Sequence, residues 1–273
     1  MSMLPFLWFL LVLLGSRLLL ILRDAALTWG QALVLGLVQA AALLAAAPSN
    51  RLWPLLALTI AANAAGAWLE RRQPQQAGAY RLGVLGLIVL AAGLTFAPAQ
   101  GIAPSPALAA AGDWLGRHVL FFAAGGFGAG DGVRAMLVLI GALLVMHEAN
   151  LLIRGILQLI RVVPRSRAGA EAAPAPAQPE LILPPRRPGE LPQALDQREY
   201  NAGRFIGVLE RLLAYVFVLH GQYTAIGLIL AAKGFARFRE MDERDFAEYV
   251  LIGTLLSMTA AVLVAEGVKA VLS

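Results

Sequence analysis

At least six stretches of about 20 residues run through this chain almost without charge, and each is long enough to cross the hydrocarbon layer of a bilayer as a helix. In hydrocarbon a segment has to satisfy its own backbone hydrogen bonds, which selects helices over open strands. Composition agrees. Hydrophobic residues make up 59% of the chain and charged residues 14%, and mean hydropathy is +0.71. Ordinary soluble domains run about 45–50% apolar and about 25% charged. The expected fold is therefore an all-α, polytopic transmembrane helical bundle.

The apolar runs fall at about residues 3–22, 27–47, 52–69, 82–98, 135–153, 203–220, 223–238 and 247–271, which predicts about eight passes, with seven as the near alternative. Pro48-Ser49-Asn50-Arg51 reads as a turn, and Gly221-Gln222 as the turn of a helical hairpin. The first run is expected to be a retained helix rather than a secretory signal. It lacks a basic start, and Arg17 interrupts it before any small-residue cleavage site. Residues 107–122 mix Asp113, Arg117 and His118 with Trp114, Leu115 and Phe121, a pattern expected of an interfacial amphipathic or partly inserted helix. The glycine run 125–132 fits neither GxGxxG nor a Walker loop and reads as a connector. From 164 to 199 the chain is rich in Pro, Ala, Gln, Arg and Glu, too poor in apolar side chains to offset ordering entropy. That predicts a disordered linker between an N-terminal membrane domain (1–163) and a C-terminal one (200–273).

Orientation follows from the arginines. With the linker in the cytoplasm, Arg23, Arg71, Arg72, Arg81, Arg154, Arg161, Arg165 and Arg167 are inside, and Arg51, Arg117 and Arg134 are outside. Both termini then face outward. Arg17, near the inner end of its run, is expected to snorkel to the cytoplasm. The 20 arginines against only Lys233 and Lys269, with abundant Ala, point to a bacterial genome of high GC content. Because the arginines flank apolar runs, the net charge of +5 is no nucleic-acid footprint. The chain has no cysteine, so disulfides and thiolate metal sites are excluded.

Ionisable groups inside a membrane cost about 2.5–3.5 kcal/mol each on insertion scales, so each asks for a reason. Glu210-Arg211 and Lys233 are the clearest case. Glu210 and Lys233 stand equally far from the 221–222 turn, about 17 Å at 1.5 Å per residue, and so at one depth in an antiparallel hairpin. Gly203 and Gly207, with Gly227 and Gly234 on the partner run, are expected to let the two helices pack closely. The pair either fixes helix register or takes part in transport or gating, with Arg211 left to snorkel or to meet another carboxylate. A second polar patch comprises His147, Glu148, Asn150 and Arg154. Its His-Glu pair is no zincin motif, since HExxH would need a histidine where Leu151 stands. Glu148 and Arg154 are expected to snorkel at the inner end. Glu266 and Lys269 read as an interfacial pair. His118, His147 and His220 are too dispersed to hold a metal.

The runs NAGRFIGVLERLL, GQYTAIGLILAAKGFARF and EYVLIGTLLS, with the earlier GALLVMHEANLLIRGIL, resemble a family of uncharacterised bacterial multi-pass inner-membrane proteins that carries a domain of unknown function. The resemblance covers residues 141–157 and 200–258. It implies a bacterial inner-membrane location and a genuine Glu210-Arg211/Lys233 unit, and it supplies no activity. The N-terminal part departs from the family pattern of a His and an Asp-Phe pair near the start; Arg23-Asp24-Ala25 stands here instead. The functional expectation is a small transporter or channel-like protein using an inner-half polar cluster. The alternative is a non-catalytic scaffold or effector acting through protein partners. No enzyme activity, cofactor or metal is expected, because no nucleophile–base or ligand constellation is present. The expected partners are the lipid bilayer and further copies of the chain or another membrane protein.

Overall fold

A computed structural model describes residues 3–21, 28–97, 100–118, 132–159, 197–236 and 244–272. Among these the regular structure is all helical: α1 (Met3–Ile21), α2 (Trp29–Ala46), α3 (Trp53–Arg72), α4 (Ala77–Thr95), α5 (Pro106–His118), α6 (Gly132–Leu143), α7 (Ala149–Leu159), α8 (Gln197–Leu219), α9 (Tyr223–Ala236) and α10 (Arg244–Leu272). A π-helical turn, Leu144–Glu148, joins α6 to α7 without a break. Five helical stretches are long and apolar enough to cross a membrane: Trp29–Ala46, Asn50–Arg72, Ala77–Thr95, Gly132–Ile153 and Val250–Leu272. The protein is a helical membrane protein on that ground. Residues 160–196, which hold nearly all of the expected linker, lie outside the described residues. So do Arg23-Asp24-Ala25, residues 119–131 with most of the glycine run, and residues 237–243 just before α10.

Local sequence explains the helix ends. α2 opens with a capping box: Gln31 N–H donates to Thr28 Oγ1 at 3.3 Å, and Thr28 N–H donates to Gln31 Oε1 at 3.1 Å. α8 closes on Gly221, whose φ of 71° lies in the left-handed region; its N–H reaches Val218 O, and Gln222 N–H reaches Phe217 O at 2.7 Å. The hairpin turn therefore sits at Gly221-Gln222. α4 starts at Ala77 rather than near Leu82, which moves Arg81 from the loop into the helix.

Side-chain contacts set helix direction. Glu70–Arg81, Glu210–Lys233 and Tyr223–Glu266 tie antiparallel neighbours, whereas Arg17–Glu148 joins α1 to the parallel α6–α7 helix. One core lies between α1, α2, α3 and α4, around Phe9, Leu43, Leu52 and Ile88. A second lies between α6, the π turn, α8 and α10, around Val145, Tyr215 and Ala261. A third joins α1 to α5 and α6 through Leu7, Leu108 and Met136. The continuous helix from Gly132 to Leu159 takes part in the second and third cores and touches α4 through α7, and it is the spine of the bundle.

Aromatic residues mark the two ends. Arg71 stacks over Trp29 with 5.6 Å to the ring centroid, and Arg72 over Trp68 with 4.1 Å, where α2 begins and α3 ends. Trp53 and Trp114 are exposed at the other end. Trp and Arg in such positions fit headgroup level.

The glycines chosen from sequence do not make close helix contacts. A methyl group on Gly203, Gly227 or Gly234 would meet nothing, and on Gly207 only the Arg211 side chain at 3.8 Å. The long Lys233 and Glu210 side chains span the gap between α8 and α9, so those backbones need not approach. Close approach occurs elsewhere. A methyl on Gly36 would sit 3.2 Å from Ile60 Cα, one on Gly66 would sit 2.9 Å from Val84 Cγ2, and Gly141 faces Tyr215 Oη and Val268. Gly141→Val should therefore lower stability in detergent by about 1–3 kcal/mol through overpacking, while Gly203→Ala should leave the unfolding midpoint nearly unchanged. Equal effects in a thermal or denaturant melt would contradict this packing.

Candidate functional site

The bundle holds a set of buried charged and amide side chains near the end where α1 stops and α4 starts. Arg17, three-quarters of the way along α1, is only 3% exposed. Its Nε donates to Glu148 Oε1 at 2.8 Å, and its Nη2 donates to the carbonyl of Arg81 at 3.0 Å. Arg81 in turn grips Glu70 with two hydrogen bonds of 3.0 Å each, from Nε and Nη2. Glu70 is 1% exposed. Two-point guanidinium–carboxylate bonds of this kind are among the stronger polar contacts available to a protein.

Arg17 and Glu148 thus do not snorkel, as the sequence suggests they would. The bundle supplies each with an opposite charge at its own depth, and pairing inside replaces hydration at the surface. His147 Nε2 lies 3.6 Å from Glu148 Oε1. The second carboxylate oxygen, Glu148 Oε2, is buried and accepts no hydrogen bond among the described residues. Asn150 and Arg154, the other members of that patch, have side chains outside the described set.

An amide chain continues the network toward the middle of α2 and α3. Ser16 Oγ accepts from Gln39 Nε2 at 3.0 Å, Gln39 Oε1 accepts from Asn63 Nδ2 at 2.9 Å, and Asn63 Nδ2 also donates to Thr59 O at 2.8 Å. Arg17, Asn63, Glu70 and Arg81 line a small cavity of about 10 Å³ between the ionic and amide parts, about the size of one water. Sequence reasoning missed Gln39, Asn63, Glu70 and Arg81. Lone amides in the middle of apolar runs are themselves a signal, and Gln39 and Asn63 carried it. Glu70 and Arg81 sit beside polar turns and read as surface residues until the helix boundaries are known.

The hairpin cluster lies on the other side of the spine. Lys233 Nζ donates to Glu210 Oε2 at 2.5 Å, and both side chains are mostly buried. Among the described residues Arg211 meets no second carboxylate. It is 5% exposed, and it donates to the carbonyl of Val145 at 3.0 Å and to Ser257 Oγ at 3.3 Å. Tyr215 Oη donates to Val138 O at 2.8 Å. Near the far end of the hairpin, Glu266 pairs with Lys269 at 3.3 Å and both contact Tyr223.

Of the two clusters, the Arg17–Glu148–His147 group has the chemistry of a working site. It combines a carboxylate with a free buried oxygen, an imidazole 3.6 Å from the carboxylate's other oxygen, and a guanidinium whose hold depends on the carboxylate's charge. Among the described residues no three His, Asp or Glu side chains converge as a metal site requires.

The ionic pair can be tested by a double-mutant cycle. Removing one partner of a buried pair costs about 3–5 kcal/mol, whereas replacing both with apolar residues is often near neutral. Arg17→Leu and Glu148→Leu should each lower stability in detergent, and the double variant should regain most of it. Additive losses would show that the two residues do not depend on one another. No family model, curated protein or solved structure matches this chain, so its residues and their geometry alone carry the functional reading.

Proposed function

We propose that the chain is a small proton-linked transport protein of a bacterial inner membrane, with the π turn that carries His147 and Glu148 as its working element. The observation behind this reading is the Glu148 carboxylate, buried in the bundle on the described chain's one π-helical turn, bound to Arg17 through one oxygen and unpartnered at the other. Intramembrane ionisable groups face protein or water and mark ion and proton routes. Interruptions of α-helical register such as π turns also cluster at functional sites. When Glu148 takes a proton, its attraction for Arg17 falls. Arg17 then keeps its bond to the Arg81 carbonyl on α4, and α1 and α4 become free to shift against the spine. A switch of this kind needs two packings of similar energy, and a single proton can bias them.

In this reading the chain crosses the membrane eight times, with α5 at the outer surface, the linker in the cytoplasm and both termini outside. The alternating helix directions and the arginines at the α3–α4 end support that topology. A reporter inserted at Ala175 should read as cytoplasmic, and one fused after Ser273 as extracytoplasmic. Reports from the same side would sink the topology.

Transport itself is tested in vesicles loaded with a pH-sensitive dye and driven by a potassium diffusion potential. Wild-type protein should move protons well above protein-free vesicles, and Glu148→Gln should cut that rate at least tenfold with folded yield retained. A wild-type rate equal to that of empty vesicles, or an unaffected Glu148→Gln, would overturn the reading in favour of a non-catalytic membrane scaffold.

A further inference from the structure

The π turn exposes a backbone group that an α-helix would have used. Ala149 N–H bonds to Leu144 O, five residues back. In an α-helix that amide would serve Val145 O, four residues back. The Val145 carbonyl is therefore left over, on a fully buried residue that shares one apolar cluster with Ala214, Tyr215, Val218 and Met258. In apolar surroundings such a carbonyl needs a donor from outside its own helix. Arg211 Nε supplies it at 3.0 Å, and Arg211 Nη1 is anchored to Ser257 Oγ on α10 at 3.3 Å. The same π turn is held from its opposite side by Arg17, through the Glu148 side chain. Two arginines from two helices thus grip one turn, one by its backbone and one by its carboxylate.

We propose that Arg211 is a positioning residue that holds residues 144–148 in π register and thereby keeps Glu148 against Arg17. The alternative packing is defined by geometry. If the turn tightens to α without losing a residue, the chain beyond it rotates by about 100° and shifts about 1.5 Å along the axis. α6 packs on α1 and α5 more extensively than α7 packs on α4 and α10, so α7 is the half that turns. Glu148 and His147 then swing away from Arg17, and the Val145 carbonyl recovers a backbone donor. The C-terminal hairpin, through Arg211 and its neighbour Glu210 with Lys233, controls the site on the N-terminal side. The register control stands on geometry alone; only its consequence for transport rests on the function proposed above.

The chain has no cysteine, so register can be read by cross-linking introduced pairs in the full-length protein. A methyl at Gly78 on α4 would lie 4.0 Å from Leu151 Cδ2 on α7, beyond the π turn. The pair Gly78→Cys and Leu151→Cys therefore reports α7 register with a short bifunctional methanethiosulfonate. The pair Gly36→Cys and Ile60→Cys, between α2 and α3 with a Cβ separation of 3.7 Å, reports that the rest of the bundle is folded. Arg211→Leu should lower the 78–151 yield at least fivefold while the 36–60 yield holds. Arg211→Lys, which keeps a donor, should retain at least half of it. Deleting Met146 removes the extra residue and the orphan carbonyl together, with both flanking helices left in register. Added to Arg211→Leu, that deletion should restore the 78–151 yield.

An undiminished 78–151 yield in Arg211→Leu would overturn the proposal. If Arg211→Leu instead abolishes both cross-links, the Met146 deletion decides. Recovery of both yields supports the register role, and failure to recover overturns it. None of these yields depends on proton movement, so a failed flux experiment and a failed register experiment are separate results.

Discussion

A guanidinium held away from water inside a helical bundle must find its acceptors among other helices, and Arg17 finds a carboxylate on one and a main-chain carbonyl on another. The arrangement of the N-terminal helices follows from that demand. Arg81 offers its carbonyl to Arg17 and its guanidinium to Glu70, so one arginine on α4 joins α1 to α3. The helices could associate through their small-residue contacts alone; the charges select one register from the many that apolar packing tolerates. Buried pairs add little net stability over apolar replacements. Their effect lies in the cost of any packing that leaves one of them alone.

The π turn is where this network meets the second half of the molecule. A turn with one residue too many is costly in lipid, because it strands a carbonyl where no water can reach. Here that carbonyl becomes a contact point, since Arg211 fills the vacancy from α8. The resulting geometry couples a side-chain site on one face of the spine to a backbone clamp on the other. Glu210 and Lys233 flank the clamp and neutralise each other at 2.5 Å, which leaves Arg211 to the backbone.

The helical class, the approximate place of each described helix and the hairpin turn at Gly221-Gln222 were all legible in the chain, because apolar run length and glycine punctuation are local properties. The Glu210–Lys233 pairing was legible for the same reason: equal distance from a turn puts two residues of a hairpin at one depth. The glycine contacts were not. Gly203, Gly207, Gly227 and Gly234 have the spacing of a packing motif but no partner surface, whereas Gly36, Gly66 and Gly141 carry no obvious pattern and are the ones tightly faced. Which side of a helix meets a neighbour depends on all the other helices at once.

By itself, then, the sequence determined that this protein is a helical membrane protein and that Glu210 and Lys233 lie level in one hairpin, since hydrophobicity and rise per residue act along the chain. Apart from the hairpin pair, the tertiary structure alone decided which charges meet. Arg17 finds Glu148 and Arg81 finds Glu70 across separations of 131 and 11 residues, and the π turn that presents Val145 to Arg211 carries no Gly or Pro to announce it. Its physical reason is non-local: the extra residue in the turn is tolerated because a donor from another helix satisfies the carbonyl it strands.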